Sequence, residues 1–356
     1  MTTPHPSPAS GLRAQVDAEL RAFLARQRPG LLEIGEEMGP VLSALEDLLA
    51  GGKRMRPAFC YWGWRGAGGD DRPEIVTAAA ALELLQASAL IHDDVMDGSD
   101  TRRGQPAVHR RFAAMHDGLD WLGSCDAFGE GAAILLGDLC LVWSDELYQS
   151  CGLSGAALRA GRPVFDVMRT EVMAGQYLDL VEQARGADSV AAALRVVTYK
   201  AAKYTIERPL HLGAALAGRL DELGAVYSAY GLPLGVAFQL RDDVLGVFGD
   251  PVLTGKPAGD DLREGKRTVL VAMTLEAAPS AAAAEFRARL GDPALDDAAV
   301  ARMREIIHDS GALTSCERMI DDYAARASAA LEHTTVAGDA HSALADLAIA
   351  ATARHV

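Results

Sequence analysis

The chain has 356 residues, 49% of them hydrophobic, with 49 acidic against 34 basic residues and a net charge of −15. This length builds one large domain or two and buries a sizeable core, while the acidic balance argues against nucleic acid or an anionic membrane surface as main partner. The five cysteines, scattered and without a CxxC, fit a reducing compartment and exclude a disulfide framework or a zinc site.

The start, Met1-Thr-Thr-Pro-His-Pro-Ser-Pro8, lacks a basic segment followed by an apolar one, so residues 1–10 read as a disordered tail and not as a signal peptide. Leu12 to Leu24 and Pro40 to Leu49 carry apolar residues at helical spacing. Gly51-Gly-Lys-Arg-Met-Arg-Pro57 is a glycine-led break with three positive charges, leading into an aromatic helix start at Phe59, Tyr61, Trp62 and Trp64. After a loop from Gly66 to Pro73, a long helix is predicted from Glu74 to Asp97. Met115 to Gly131 reads as irregular, and Ala132 to Gln149 and Arg162 to Glu182 as helices. Val190 to Leu220 and Leu220 to Phe248 are helical, with kinks expected at Pro209 and Pro233. A polar loop spans Gly249 to Gly265. Alanine-rich helices follow Thr268, interrupted at Pro279, Gly291-Asp-Pro293, Gly311 and Gly338. No period-2 alternation and no run of about 20 apolar residues occurs. The expectation is an all-α protein, a single domain of a dozen or so helices over 11–356, soluble and cytoplasmic, with no membrane span.

The chemistry concentrates where the long helix ends. In Glu83-Leu-Leu-Gln-Ala-Ser-Ala-Leu-Ile-His-Asp-Asp-Val-Met-Asp97, Asp93 and Asp97 are four residues apart, on one face and about 6 Å apart along the axis. Gln86 shares that face. Gly98 and Ser99 end the helix, and Arg102 and Arg103 follow. Carboxylates with paired arginines suit a Mg²⁺–phosphate cluster, in which hard oxygen ligands hold the ion and guanidinium forks take the remaining charge. Such an acidic string is often only a solvated helix end. Against that stand the apolar Ala87 to Ile91, the two arginines and a second site downstream. His92 reads as a packing residue or a hydrogen-bond partner of the ligands, not a ligand itself, because Mg²⁺ prefers oxygen.

The second site is Phe238-Gln-Leu-Arg-Asp-Asp-Val-Leu-Gly-Val-Phe-Gly-Asp250. Gln239 and Asp242 share a helix face, and the position four beyond Asp242 is Gly246 instead of an acid. Lys256 and Lys266 lie on the glycine-containing loop just past it. Lys200 sits in an otherwise apolar helix, where an isolated charge is costly and an anionic partner is expected. Asp321-Asp322 reads as a solvated helix face.

These motifs, in this order, resemble the trans-isoprenyl diphosphate synthases of the polyprenyl synthetase family, bacterial geranylgeranyl diphosphate synthases in particular. The resemblance runs from about Leu12 to the last helices. It rests on Gly52-Lys-Arg-Met-Arg-Pro57, Leu90-Ile-His-Asp-Asp-Val-Met-Asp97, Thr101-Arg-Arg-Gly104, Gly175-Gln-Tyr-Leu-Asp179, Tyr199-Lys200, Phe238-Gln-Leu-Arg-Asp-Asp243, and Gly255-Lys256 with Asp260 to Lys266. It implies the isoprenoid synthase fold around a central cavity, a homodimer, and Mg²⁺ held by Asp93, Asp97 and Asp242. It implies further that Arg102, Lys200, Lys256, Lys266 and Gln239 face the diphosphate of an allylic substrate. Lys53, Arg56, Gln86 and Arg103 would cradle that of isopentenyl diphosphate, with Gln176 and Asp179 lining the cavity. Two positions depart from the family pattern: Ala201 stands where Thr is usual, and Gly246 replaces the last acid of the second motif.

Product length follows from the face upstream of Asp93. Ser88 and Ala89 are small where farnesyl-forming relatives carry an aromatic ring, and one helical turn of about 5.4 Å matches roughly one isoprene unit. A product longer than farnesyl is expected, geranylgeranyl first, with Leu85 or a bulky residue of a neighbouring helix as the floor. A class I terpene cyclase on the same scaffold is the nearest rival, but it has no use for all of Lys53, Arg56, Gln86 and Arg103. A non-catalytic subunit of a prenyl synthase would be expected to lose the aspartates kept here.

Overall fold

The helical spacing of the sequence becomes helix almost throughout in the computed structural model, which describes residues 8–186, 188–250, 259–292, 294–332 and 334–352. Its backbone contacts divide into two units. One runs up to Gly161 and includes Leu212–Arg219; the other comprises Arg162–His211 and the chain from Leu220 onward.

The first unit contains α1 (Pro8–Ile34), a 3₁₀ turn (Glu36–Met38), α2 (Gly39–Leu49), α3 (Met55–Gly66), α4 (Pro73–Asp97), the two-residue strands β1 (Thr101–Arg102) and β2 (Gln105–Pro106), α5 (Val108–Gly118) and α6 (Cys125–Gln149). Its axis is α4, which packs against α6, α3 and α1. Pro73 begins α4 where a missing N–H costs nothing. Ala78 to Ala81 keep its middle thin, while Leu82, Leu84, Leu85 and Ile91 fill the core. The Ser144 hydroxyl of α6 donates to the carbonyl of Ala81 at 2.8 Å, a buried bond that fixes the two helices at mid-length. Although α4 is apolar and long enough by composition to cross a bilayer, 72% of its most apolar stretch is buried inside the protein, as for a core helix.

The second unit takes α7 (Gly155–Arg185) from Arg162 on, α8 (Val190–Val196), a π-helical segment (Val197–Glu207), α9 (Arg208–Leu216) as far as His211, and α10 (Leu220–Phe248). It continues with α11 (Asp260–Arg263), α12 (Val269–Ala277), α13 (Ser280–Arg289), α14 (Asp297–Asp309), α15 (Ala312–Leu331) and α16 (Gly338–Thr352). Here α10 is central, packed against α15 and the π-helical segment. Leu240, Val244, Leu270, Phe286, Met303 and Ile320 form the core.

Several expectations need correcting. Met115 to Gly131 is irregular only between α5 and α6. Ser124 caps α6 by accepting from the Ala127 N–H at 3.2 Å, and Gly129 allows α6 to meet the backbone of α5 at His109. Short pairing does occur, Thr101 with Pro106 and Arg102 with Gln105, in a hairpin too brief to show alternation. Near Pro209 the change comes upstream, where the wider π-helix ends at Glu207 just before the residue that lacks an N–H to continue it. Pro233 lies inside α10 without dividing it. Of the tail expected over 1–10, residues 8–10 are already helical in α1, and 1–7 lie outside the described residues.

Candidate active site

In the first unit the site grows from the end of α4. Gly98, at φ 66°, takes the left-handed conformation that closes a helix, and its N–H and that of Ser99 return to the carbonyl of Asp94. The turn leads into β1, which brings Arg102 back over the helix end. Asp93 and Asp97 are half-buried, as their shared face predicts, whereas Asp94 is buried. The Nε of Arg102 donates to Asp94 Oδ1 at 2.9 Å and its Nη2 binds the same oxygen, while Asp93 Oδ2 stands 3.6 Å from Nη2. Asp94 thus braces Arg102 beside the Asp93 carboxylate.

Arg103 turns the other way. Its Nη1 donates to the carbonyls of Leu48 at 2.9 Å and Gly51 at 2.8 Å, and a Cβ on Gly52 would come within 2.9 Å of Nη2, so only glycine fits there. Burial, with the neighbouring charges of Arg54, Arg102 and Arg56, holds the Arg103 guanidinium below its ordinary pKa against the pull of Glu83. The loop before α3 and the turn after α4 therefore form one positively charged neighbourhood. Lys53 is exposed and Arg56 half-buried on that loop. Gln86 is half-buried on α4, its Oε1 shielded from solvent and without a hydrogen-bond partner. Leu85 and Ser88 are buried and Ala89 half-buried. His92 packs as expected: its Nε2 is 3.1 Å from the Ile134 carbonyl, and its ring fills the notch left by Gly137 on α6.

The second unit assembles its residues by close backbone contact. A Cβ on Gly175 of α7 would lie 2.6 Å from the Tyr199 carbonyl carbon and 2.7 Å from Lys200 Cα; one on Gly235 of α10 would lie 2.5 Å from Ala202 Cα. The π-helical segment is seated against both helices through these glycines. The resulting approach sets Lys200 Nζ 2.7 Å from Asp179 Oδ2 on α7. The anion expected for Lys200 is thus partly supplied from within. Gln176, one turn before Asp179, has a buried Nε2 with no hydrogen-bond partner.

On α10, Gln239 donates to Asp243 Oδ1 at 2.8 Å and does not pair with Asp242. Asp242 is half-buried and Asp243 buried. Burial, together with the nearby carboxylates of Asp261 and Asp242, pushes Asp243 up to about 8 despite the hydrogen bond from Gln239. Gly246 has a physical reason: a Cβ there would lie 2.5 Å from Asp261 Cγ, so the Asp261 carboxylate of α11 occupies the space an acid at 246 would need. Lys266 Nζ sits 2.7 Å from Glu264 and 3.7 Å from Asp261. Lys256 lies outside the described residues. Asp321 and Asp322 are exposed on α15, as expected.

Sequence reasoning missed Asp94, Arg54, Asp261 and Arg241. For Asp94 a signal existed: it follows the buried Ala87 by seven residues and Ile91 by three, which places it on the core face. Arg241 makes a two-pronged ion pair with Glu317 of α15, both bonds 2.6 Å, and so anchors α10. A surface cavity of about 320 Å³ lined by Trp64, Asp70, Arg72, Leu153 and Leu216 contains none of these site residues.

Comparison with known proteins points to the same family. The polyprenyl synthetase profile matches residues 40–307. A geranylgeranyl pyrophosphate synthase from Corynebacterium glutamicum, solved in complex with isoprenyl diphosphate and magnesium, superposes with a TM-score of 0.94 at 40% identity, covering 98% of this chain and 99% of that one. The geranylgeranyl diphosphate synthase of Mycobacterium tuberculosis is 34% identical over 79% of this chain and 75% of its own. The geranylfarnesyl diphosphate synthase of Aeropyrum pernix is 33% identical over 80% and 84%. The chain belongs to the polyprenyl synthetase family and is a trans-isoprenyl diphosphate synthase.

Proposed function

We propose that the enzyme condenses isopentenyl diphosphate with an allylic diphosphate and releases geranylgeranyl diphosphate as its main product. The observation carrying this reading is the pair of half-buried carboxylates, Asp93 and Asp97, beside the cluster of Arg102, Arg103 and Arg56. Opposite charges gathered at one helix end suit a metal-bound polyanion. Two aspartates supply the hard oxygen donors that Mg²⁺ takes from protein, the rest coming from water and substrate phosphates. Asp93, Asp97 and Asp242 would hold these ions, which when bound neutralise the charge developing on the leaving diphosphate.

The chain's own cations share that work. Arg102, held in direction by Asp94, offers its guanidinium to the allylic diphosphate, with Lys200, Lys256, Lys266 and Gln239 assigned to the same group. As the allylic C–O bond breaks, its electron pair leaves with diphosphate, and these fixed charges stabilise the departing anion. The π electrons of isopentenyl diphosphate then form the new C–C bond, and a proton is lost to the released diphosphate. Lys53, Arg56, Gln86 and Arg103 hold the second diphosphate. Gln176 and Asp179 line the reacting cavity, and Leu85, Ser88 and Ala89 the path of the growing chain.

The exposed apolar residues Ile134, Leu135 and Val142 on α6 support a homodimer. The enzyme acts in the cytoplasm on this reading. The test is incubation of the purified chain with labelled isopentenyl diphosphate and each allylic starter in turn, with and without Mg²⁺. Mg²⁺-dependent incorporation ending at geranylgeranyl is the expected result. Farnesyl as terminal product refutes the length, and turnover of a prenyl diphosphate without isopentenyl diphosphate favours a cyclase.

A further inference from the structure

We propose that Arg54 is a positioning residue for the isopentenyl diphosphate site, touching no substrate but setting the loop from which Lys53 and Arg56 act. This rests on the assignment of those two cations to that diphosphate. In the sequence the three basic residues of Gly52-Lys-Arg-Met-Arg-Pro57 are indistinguishable; in the fold they are not. Lys53 is exposed, whereas the Arg54 side chain is only 3% exposed.

Every nitrogen of that guanidinium is used inward, each by a different element. Nε donates to Asp17 Oδ1 of α1 at 2.7 Å, Nη1 to Glu83 Oε2 of α4 at 2.6 Å, and Nη2 to the carbonyl of Leu49 at the end of α2. A planar fork of fixed geometry held at three points defines the backbone that carries it. That backbone is unusual: Arg54 has φ 53° and ψ 36°, the left-handed region, which costs a residue with a side chain about 1–2 kcal/mol. Such a conformation persists only when the surroundings over-determine it.

Its consequence is directional. Arg54 immediately precedes α3, and its carbonyl accepts from the Ala58 N–H at 3.0 Å in the first turn. The left-handed step therefore decides where the chain turns between Lys53, just before the helix, and Arg56, in its first turn. Glu83 lies three residues before Gln86 on α4, so the same ion pair ties the loop to the helix that presents Gln86. Arg103, the other arginine in the left-handed region at φ 55°, grips the neighbouring carbonyls of Leu48 and Gly51. Two strained arginines thus hold the end of α2 from both sides, which is more constraint than a surface loop needs.

The test must separate positioning from stability. A buried ion pair exchanged for apolar residues of similar volume often leaves stability unchanged, so the double variant Arg54→Met with Glu83→Leu is measured first, with circular dichroism and a thermal melt. The expected result is a folded enzyme whose KM for isopentenyl diphosphate rises about tenfold, while kcat and the KM for the allylic substrate stay within about threefold. Arg54→Lys, which keeps the charge without the fork, gives the same split if the double variant does not fold. A folded variant with wild-type KM for isopentenyl diphosphate overturns the proposal, as does an equal rise in both KM values. Lys53→Ala is the control for the underlying assignment: it raises the same KM if the site is right, and an unmoved KM there overturns the site and the proposal with it.

Discussion

The two units build their candidate residues by different means. In the first unit the functional groups come from helix phase and one turn: Asp93 and Asp97 share a face, Asp94 turns away from it into the core, and Gly98 returns Arg102 to brace against it. In the second unit they come from close packing of separate elements, with Gly175 and Gly235 admitting the π-helical segment and Gly246 making room for Asp261. The first has close fits of its own, His92 in the notch at Gly137, but its carboxylates are placed by helix phase. The second depends on contacts in which a single methyl group is too much.

The largest effect should come from the proposed metal ligands. Asp93→Ala removes a proposed metal ligand and should lower kcat by about 10³-fold with little change in melting temperature, measured by isopentenyl diphosphate incorporation. Gly175→Leu probes the packed half: its side chain would overlap the backbone at Lys200, so a stability loss of about 1–3 kcal/mol or more should accompany the activity loss. A Gly175→Leu enzyme with wild-type melting would erase the contrast. Gly246→Asp, which restores the family's missing acid, should weaken the docking of α11 for the same reason. Pairing it with Asp261→Gly should recover the melting temperature, because the two carboxylates compete for one space.

Ser88→Phe, at a buried position of α4, should shorten the product by about one isoprene unit, read by chain-length analysis, at an overpacking cost of about 1–3 kcal/mol. Unchanged products would show that this face of α4 does not border the growing chain. A further effect concerns pH. Asp243, raised to about 8 from an ordinary 3.8, is protonated in the metal-free folded state while its unfolded counterpart ionises. Between those values the folded state binds the extra proton, so stability falls as pH rises from about 4 to about 8 and then levels. Asp243→Asn should flatten that slope in thermal melts taken across the range. No change would place the buried charge elsewhere.

Much of the first half is legible in the sequence alone. Helix α4 follows from a long apolar-periodic run with Pro at its start and Gly at its end, and the spacing of Asp93 and Asp97 follows from the helix itself. The second half is legible only as a set of residue types. Lys200 in an apolar helix asks for an anion, but that the anion is Asp179 depends on how closely α7 meets the π-helical segment. The π-helix leaves no pattern in the sequence, because apolar spacing over 11 residues does not distinguish it from an α-helix.

The sequence by itself therefore determined the helical class, the two ends of α4, the two acidic motifs and the family, since all of these depend on neighbours within a few turns or on the order of residues. Only the tertiary structure decided which charges were spent inside the protein: Arg54 on Asp17 and Glu83, Arg102 on Asp94, Arg241 on Glu317. The reason is that a long cationic side chain reaches several possible partners, and the choice among them is made by the faces that separate elements bring together during packing. Residues of one type in one short motif can in this way be divided between holding the fold and serving the chemistry.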